Sequence, residues 1–123
     1  MNAAFLPVKI LLIENDLAAA EAIRAAFAAS GADAFDVQWV RELSAGSERL
    51  KTKGIAAALI ELDLPDSQGI ATFDSLFTAA PDLPILILGG DANEALAKEA
   101  VGRGAQDYIL PTHLDSYSLS RTA

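Results

Sequence analysis

The sequence contains no cysteine and only one histidine among its 123 residues. The absence of cysteine excludes a disulfide framework, thiolate metal sites and cysteine nucleophiles, and it suits a reducing compartment. The longest uncharged apolar runs, such as residues 10–13 and 55–60, are far shorter than the roughly 18 residues that a membrane-spanning helix needs. The N-terminal residues show no basic segment followed by an apolar core and a cleavage site, so they indicate no secretory signal. We therefore expect no membrane span and a cytoplasmic location.

Basic residues are scarce, because nine Lys and Arg stand against seventeen Asp and Glu and give a formal net charge of −8. Nucleic-acid binding needs a clustered basic surface, and the only local concentration is Arg49, Lys51 and Lys53. Direct binding of DNA or RNA is therefore not expected. Hydrophobic residues make up 52% of the chain, more than a disordered chain carries, so we expect a single folded domain over residues 1–123.

Apolar segments typical of buried strands alternate with segments of helical character along the chain. The predicted strands are residues 8–13, 36–40, 55–60, 85–88 and 107–110, and the predicted helices are 17–30, 43–53, 70–80, 93–103 and a last one from 112 onwards. Asp16 is placed to cap the first helix and Gly31 to end it. This alternation predicts an α/β fold with a doubly wound five-stranded parallel sheet, the flavodoxin-like strand order 2-1-3-4-5 and helices on both faces.

Two glutamates, Glu14 and Glu61, directly follow the first and third predicted strands. The functional crevice of an open parallel sheet lies outside the carboxyl ends of its strands, where the strand order reverses, which here is between strands one and three. Like charges near an apolar core disfavour joint ionisation, so a cation or a shared proton would relieve the pair. Asp16 and Asp63 bring the acids at this edge to four, and oxygen ligands of this kind suit Mg²⁺ or Mn²⁺. Glu14, Glu61 and Asp63 are therefore candidate ligands of a weakly bound Mg²⁺ ion, with helix capping as the alternative role of such acids.

Three stretches of the chain form a recognisable set in this order: ILLIEND at residues 10–16, LIELDLPD followed by Gly69 at residues 59–69, and PILIL with GAQDY at residues 84–108. Taken together, they resemble the receiver domains of bacterial two-component response regulators. The resemblance covers nearly the whole chain. It implies two acids after the first strand, a phosphoaccepting Asp ending the third, a Thr or Ser ending the fourth and a Lys ending the fifth.

The acidic positions depart from the pattern that this resemblance implies. The first acid is kept as Glu14, whereas the second position falls on Asn15, with Asp16 one residue further on. The phosphoacceptor position falls on Glu61, whose extra methylene moves the carboxylate outward by more than about 1 Å and spoils the alignment for in-line attack.

The positions after the fourth and fifth strands depart as well. The hydroxyl position falls on Gly89, so no side chain there can bond a phosphoryl oxygen. The lysine position falls on Pro111, which removes the cation that would offset the charge of an acyl phosphate. A cis Leu110–Pro111 bond would bend the following loop, and the sequence leaves this isomer open. Tyr108 keeps the aromatic position that the family uses for switching.

The resemblance and these departures together predict a degenerate receiver, or pseudo-receiver, which is a non-catalytic regulatory and protein-interaction domain in bacterial signal transduction. Glu61 is either a built-in substitute for phosphoaspartate or a position that decayed once phosphorylation was lost. Two alternatives stay open. One is a receiver that is still phosphorylated, or binds Mg²⁺, at a non-standard acid such as Asp63; the other is a small metal-dependent phosphotransfer enzyme.

The expected partners follow from the same resemblance. Residues 104–119 look like the end of receivers that precede cyclic-di-GMP enzymes or histidine kinases, and the last predicted helix is short, so we expect the N-terminal part of a longer signalling protein. A homodimer through the fourth helix, fifth strand and fifth helix is a further candidate, because Ala95, Leu96 and Val101 are expected to be exposed there. The single histidine, His113, is expected to be structural.

Overall fold

The computed structural model describes residues 7–29, 34–89 and 94–109. Strands and helices alternate through these ranges, with two very short strands inserted after the third. In chain order the elements are β1 (Val8–Ile13), α1 (Leu17–Ala29), β2 (Phe35–Val40), α2 (Leu43–Leu50), β3 (Ile55–Glu61), β4 (Asp63–Leu64), β5 (Ser67–Gln68), α3 (Ile70–Ala79), β6 (Ile85–Leu88), α4 (Glu94–Arg103) and β7 (Asp107–Ile109).

Five of these strands form one parallel sheet in the order β2-β1-β3-β6-β7. When the two-residue strands β4 and β5, which pair with each other, are left out of the count, this is the order 2-1-3-4-5. The predicted fold is therefore confirmed. Parallel pairing places the carboxyl ends of β1 and β3 side by side at the centre of the sheet, with Ile13 opposite Ile60.

The sheet is covered on both faces, which explains why its central strands are apolar at successive positions instead of every second one. Leu11 and Ile13 of β1 face one core, which includes Phe73 of α3. Ile10 and Leu12 face the other core, which includes Phe27 of α1. Only the first two residues of β1 are exposed. Each strand of the centre thus contributes to two packed layers.

Two glycines are required by close packing or by backbone conformation. A Cβ on Gly46 of α2 would clash with the Ile13 side chain, so glycine lets α2 lie against the end of β1. Gly104 follows α4 with φ +131°, and a Cβ there would lie 2.8 Å from the Phe77 ring. A glycine with positive φ directly after the last helical residue is a common way for a helix to end.

Several element limits differ from the sequence prediction. Strand β3 includes Glu61, because its backbone still pairs with Leu88 of β6. Helix α2 ends at Leu50 and not at residue 53, because the N–H groups of Lys51 and Thr52 turn back onto carbonyls only three residues earlier. Between the predicted third strand and third helix, the chain forms the short hairpin of β4 and β5.

The apolar surface predicted on α4 is smaller than expected. Val101 is 37% exposed and Ala95 is exposed, whereas Leu96 packs against the core on the α3 side of the sheet. The prediction that Leu96 is exposed was wrong, because its position on the helix faces the sheet.

Several predictions fall on residues outside the described ranges. They concern Gly31, the Leu110–Pro111 bond, the last helix and His113. Within the ranges that the structure describes, no helix is both long and apolar enough to cross a membrane.

Candidate functional site

Glu14 lies at the carboxyl end of β1 and is only 5% exposed. Its backbone N–H donates to the carbonyl of Val40 at 3.1 Å, so the chain still follows the sheet at this point. Its side-chain Oε2 accepts a hydrogen bond from the N–H of Asp16 at 3.1 Å. Burial raises the pKa of Glu14 to about 6, the Asp16 N–H opposes this shift, and the negative charge of Glu61 adds to it.

Glu61 lies at the end of β3, half-buried, beside Glu14. Its Oε1 accepts the N–H of Asp63 at 3.1 Å, the same two-residue turn that Glu14 makes with Asp16. Its charge reaches Glu14 strongly enough to raise the pKa of that carboxyl. The structure therefore brings together the two glutamates that the sequence placed at one edge.

The remaining acidic-pocket positions, Asn15, Asp16 and Asp63, are exposed. The carboxylate of Asp16 accepts the N–H of Ala19 at 2.8 Å, which confirms its predicted role as the cap of α1. Asp16 therefore stabilises a helix terminus, the alternative role considered for the acids at this edge.

A Mg²⁺ ion is held in proteins by several hard oxygen ligands with near-octahedral geometry. Across residues 7–29, 34–89 and 94–109, no group of three or more His, Asp or Glu side chains is arranged to hold a metal ion. Glu14 and Glu61 each accept a backbone N–H from their own loop, and the neighbouring position is the amide Asn15. These side chains are not arranged as a Mg²⁺ site within the described residues, and weak binding by Glu14, Glu61 and Asp63 stays an untested prediction.

The loop after β1 is held from the edge of the sheet by side chains of β2 and the residue that follows it. The indole N–H of Trp39 donates to the carbonyl of Glu14 at 2.7 Å. The guanidinium Nη2 of Arg41 donates to the carbonyl of Asn15 at 2.8 Å, and its central carbon lies 5.5 Å from the centre of the Trp39 ring. These contacts were not predicted from the sequence, although parallel strands in the order 2-1-3 place the residues after β2 beside the residues after β1.

Asp66 lies in the loop after β3 and caps α2 from outside that helix. Its Oδ1 and Oδ2 accept the N–H groups of Leu43 and Ser44, each at 2.9 Å. These N–H groups hold the pKa of Asp66 below its ordinary value. Glu42 occupies the N-cap position of α2 but makes no side-chain capping bond with any described residue. The capping carboxylate belongs instead to Asp66, more than twenty positions later in the chain. A local capping pattern could not have revealed it.

A buried hydroxyl group fixes the rest of the loop after β3. Thr72, which is fully buried in α3, donates to the carbonyl of Leu62 at 3.0 Å and lies 2.8 Å from the hydroxyl of Ser67. The N–H of Gly69, whose φ of +74° suits glycine, reaches the same Leu62 carbonyl at 2.9 Å. These hydrogen bonds hold the loop after β3 against the first turn of α3.

The positions after β6 and in β7 lie further along the same edge. Gly89 is buried, and its N–H donates to the carbonyl of Ile109 at 2.8 Å. As a glycine it has no side chain and therefore no hydroxyl at this position. Tyr108 is half-buried against the core, and its hydroxyl donates to Glu94 of α4 at 3.4 Å, a long hydrogen bond. Pro111 lies outside the described residues.

Comparison with known proteins gives consistent matches. A family model described as the response regulator receiver domain matches residues 10–113. The swarming motility regulation protein RssB of Serratia marcescens is 31% identical over 103 residues, which are 83% of this chain and 45% of that protein. The cell cycle transcriptional regulator CtrA of Caulobacter vibrioides is 30% identical over 109 residues, 88% of this chain and 46% of that protein. The chain thus spans slightly less than half the length of these relatives.

Solved structures agree on the fold. A response regulator receiver domain protein from Clostridium thermocellum superposes with a TM-score of 0.79 at 19% identity, covering 94% of this chain and 90% of the other. A sensor protein from Polaromonas sp. JS666 superposes with a TM-score of 0.75 at 23% identity, covering 94% and 91%. Since the family model covers most of its length, this chain belongs to the response regulator receiver domains, the regulatory modules of two-component signalling.

Proposed function

We propose that this chain is a degenerate receiver that regulates its partners through protein contacts and fixed charge, without accepting a phosphoryl group. The observation that carries the proposal is Glu61 at the acceptor position, with its carboxylate bonded to the N–H of Asp63 and beside the buried Glu14. A nucleophile in this position needs a carboxylate oxygen aligned with the incoming phosphoryl group. The longer side chain of Glu61 is instead engaged with its own loop.

The other positions support the same proposal. Transfer to a carboxylate depends on groups that offset the developing negative charge on the phosphoryl oxygens. The sequence supplies Asn15 in place of the second acid, Gly89 in place of the hydroxyl residue and Pro111 in place of the lysine. Each change removes one stabilising group, and such groups act together, so their joint loss abolishes transfer.

Receiver domains of this family interact with kinases and output domains, and we propose partners of these two kinds here. An attached output domain, such as a cyclic-di-GMP enzyme, or a histidine kinase fits the resemblance of the C-terminal region. A homodimer through α4 and β7 is supported by the exposed Ala95 and Val101 but has less apolar surface than the sequence indicated. We propose a cytoplasmic location as part of the same signalling role.

Beryllofluoride, which imitates an acyl phosphate on a carboxylate, tests the proposal together with Mg²⁺. Trp39 is the single tryptophan, and its N–H bonds the Glu14 carbonyl, so its fluorescence reports on the pocket. We expect no change when both reagents are added at millimolar concentrations. An intact receiver is treated in parallel as the positive control.

A saturable response of Trp39 that depends on both reagents would contradict the proposal. The alternative is then phosphorylation at a non-standard acid, for which Asp63 is exposed and lies two residues after Glu61. Loss of the response in Asp63→Asn but not in Glu61→Gln would identify that acid.

A further inference from the structure

The end of β2 and its connection to α2, residues 39–44, contact both loops that carry acidic side chains. This segment, called the β2–α2 segment below, bonds two consecutive carbonyls of the loop after β1 through Trp39 and Arg41. At its other end, the N–H groups of Leu43 and Ser44 bond the carboxylate of Asp66 in the loop after β3. Four hydrogen bonds therefore join one short segment to two loops that are distant in sequence.

The two donors on the first loop support each other. The Arg41 guanidinium lies over the face of the Trp39 ring, where the negative face of the indole attracts a cation. Arg41 is held in place while it donates to Asn15, and the planar guanidinium loses little freedom in doing so. The segment thus presents a positive group to a loop whose other charges are negative.

In the contact with the loop after β3, the loop supplies the negative group and the segment supplies the N–H donors. The Asp66 carboxylate accepts two N–H groups at the start of α2 that have no partner within the helix, and the helix dipole also favours a negative charge there. The rest of that loop is held by Gly69 and Thr72 on the Leu62 carbonyl, so Asp66 belongs to a loop that is bonded at both ends.

We propose that the β2–α2 segment fixes the loop after β1 (residues 14–16) and the loop after β3 (residues 62–69), called the acidic loops, in one relative arrangement. The strand pairing sets the distance between the backbones of Glu14 and Glu61, and the segment sets how the residues that follow each of them lie relative to one another. The inference rests on the proposed function, because a pocket that gains no phosphoryl group has no modification that could rearrange these loops. Arg41 and Glu42 are exposed, so a partner protein can reach this support.

The arrangement predicts coupling between the loops. The bonds of Arg41 and Asp66 are exposed to water, so each one alone stabilises weakly. They share a short segment, so releasing it from one loop also loosens its hold on the other. Independent local contacts would show no such effect.

Amide hydrogen exchange measured by NMR on the whole chain tests this coupling. The N–H of Asp16, bonded to Glu14, reports on the first loop, and the N–H of Gly69, bonded to Leu62, reports on the second. We expect Arg41→Ala to raise exchange at both amides by about fivefold or more, as expected when a local opening becomes easier. Asp66→Ala should also raise exchange at both amides, by more than its overall loss of stability accounts for.

Two comparisons separate this result from general destabilisation. The N–H of Gln106, which donates to Ile85 at 2.7 Å in another part of the sheet, serves as the reference amide. Arg103→Ala is the matched control, because it removes an exposed guanidinium with two ion pairs on α3 and α4. Arg103→Ala should leave Asp16 and Gly69 unchanged.

An increase confined to the loop next to the substituted residue, or an equal increase at Gln106, would overturn the inference. Trp39→Phe gives an independent check, because it keeps the ring and removes the N–H donor, and it should raise exchange at Asp16. Phosphorylation of the wild-type protein would contradict the proposed function but not the coupling, so the two failures are distinguishable.

Discussion

Glu14 and Glu61 end two neighbouring parallel strands in register, and the charge of Glu61 raises the pKa of the buried Glu14. The strand pairing, with Ile13 opposite Ile60, leaves the two glutamates adjacent at the edge of the sheet. Burial of Glu14 makes the larger contribution to the shift. The fold therefore holds two carboxylates where full ionisation is unfavourable, and this has a measurable effect on stability.

Glu14→Gln should stabilise the protein at neutral pH. The pKa of Glu14 rises from 4.5 to about 6 on folding, so folding favours the protonated acid. The contribution of this acid is most favourable below pH 4.5 and is lost as the pH rises through 6. A shift of this size corresponds to about 2 kcal/mol, and Glu14→Gln removes up to that cost at pH 7.5.

Urea denaturation at pH 7.5 and at pH 4.5 checks this expectation. The gain in the free energy of unfolding from Glu14→Gln should shrink to roughly a few tenths of a kcal/mol near pH 4.5, because the acid of the wild-type protein is then protonated in the folded state. Glu48→Gln, at an exposed glutamate paired with Lys51, is the control and should show no such pH dependence. A variant that is less stable than wild type at pH 7.5, with a smaller loss at pH 4.5, would show that the Glu14 charge is stabilising.

Asp66→Ala should destabilise the protein through loss of the α2 cap. Removing a capping carboxylate costs about 1 kcal/mol in the free energy of unfolding. The folded pKa of Asp66 is lowered from 3.8, so its contribution is present above pH 3.8 and is lost as the pH falls through the lowered value. Chemical denaturation at pH 7 should show the difference, and Asp82→Ala, at an exposed aspartate before β6, should show little change. Equal effects of the two substitutions would argue against the cap.

Gly46→Ala and Gly102→Ala should change stability in opposite directions. Both glycines lie in helices, but a Cβ on Gly46 clashes with Ile13, whereas a Cβ on Gly102 has no atom within 4 Å among its described surroundings. Overpacking costs about 1–3 kcal/mol, while alanine in place of an exposed helical glycine gains up to about 1 kcal/mol. Thermal denaturation of the two variants measures the contrast. A gain in stability at Gly46 would mean that α2 can move away from β1 without cost.

Thr72→Val should destabilise the protein and loosen the loop after β3. The substitution leaves the Leu62 carbonyl with only the N–H of Gly69 and removes the partner of the Ser67 hydroxyl, and the loss of these bonds at a buried position costs about 1–3 kcal/mol. Thr72→Ser keeps the hydroxyl and should cost less, and Thr78→Val, at an exposed position of the same helix, should be close to neutral. Urea denaturation of the three variants gives the ranking. A smaller cost for valine than for serine would show that the methyl group matters more than the hydroxyl.

Much of the fold was predictable because its signals are local. Apolar runs bounded by acids, glycines and prolines mark the strands, and their alternation with helices leads to the order 2-1-3-4-5. The same topology predicted that Glu14 and Glu61 lie together, since both follow central strands. Asp16 was predicted as a cap because it directly precedes the helix that it caps.

The contacts that hold the acidic loops were not predictable in the same way. Asp66 caps a helix that ends fifteen or more residues earlier in the chain, and Arg41 reaches a carbonyl on a neighbouring connection. Such bonds depend on side-chain reach across the folded edge and leave no periodic signal in the sequence. The burial of Leu96 was missed for a related reason, because the facing direction of a short helix is decided by its packing.

Intact mass spectrometry after incubation with acetyl phosphate and Mg²⁺ tests most directly whether the acceptor pocket forms an acyl phosphate. The combined variant Asn15→Asp, Glu61→Asp, Gly89→Thr and Pro111→Lys restores the positions of the family pattern and is the positive control, since such groups act as a unit. We expect an unchanged mass for the wild-type chain. A stable, Mg²⁺-dependent gain of one phosphoryl group on the wild-type chain would show that this domain is a working receiver.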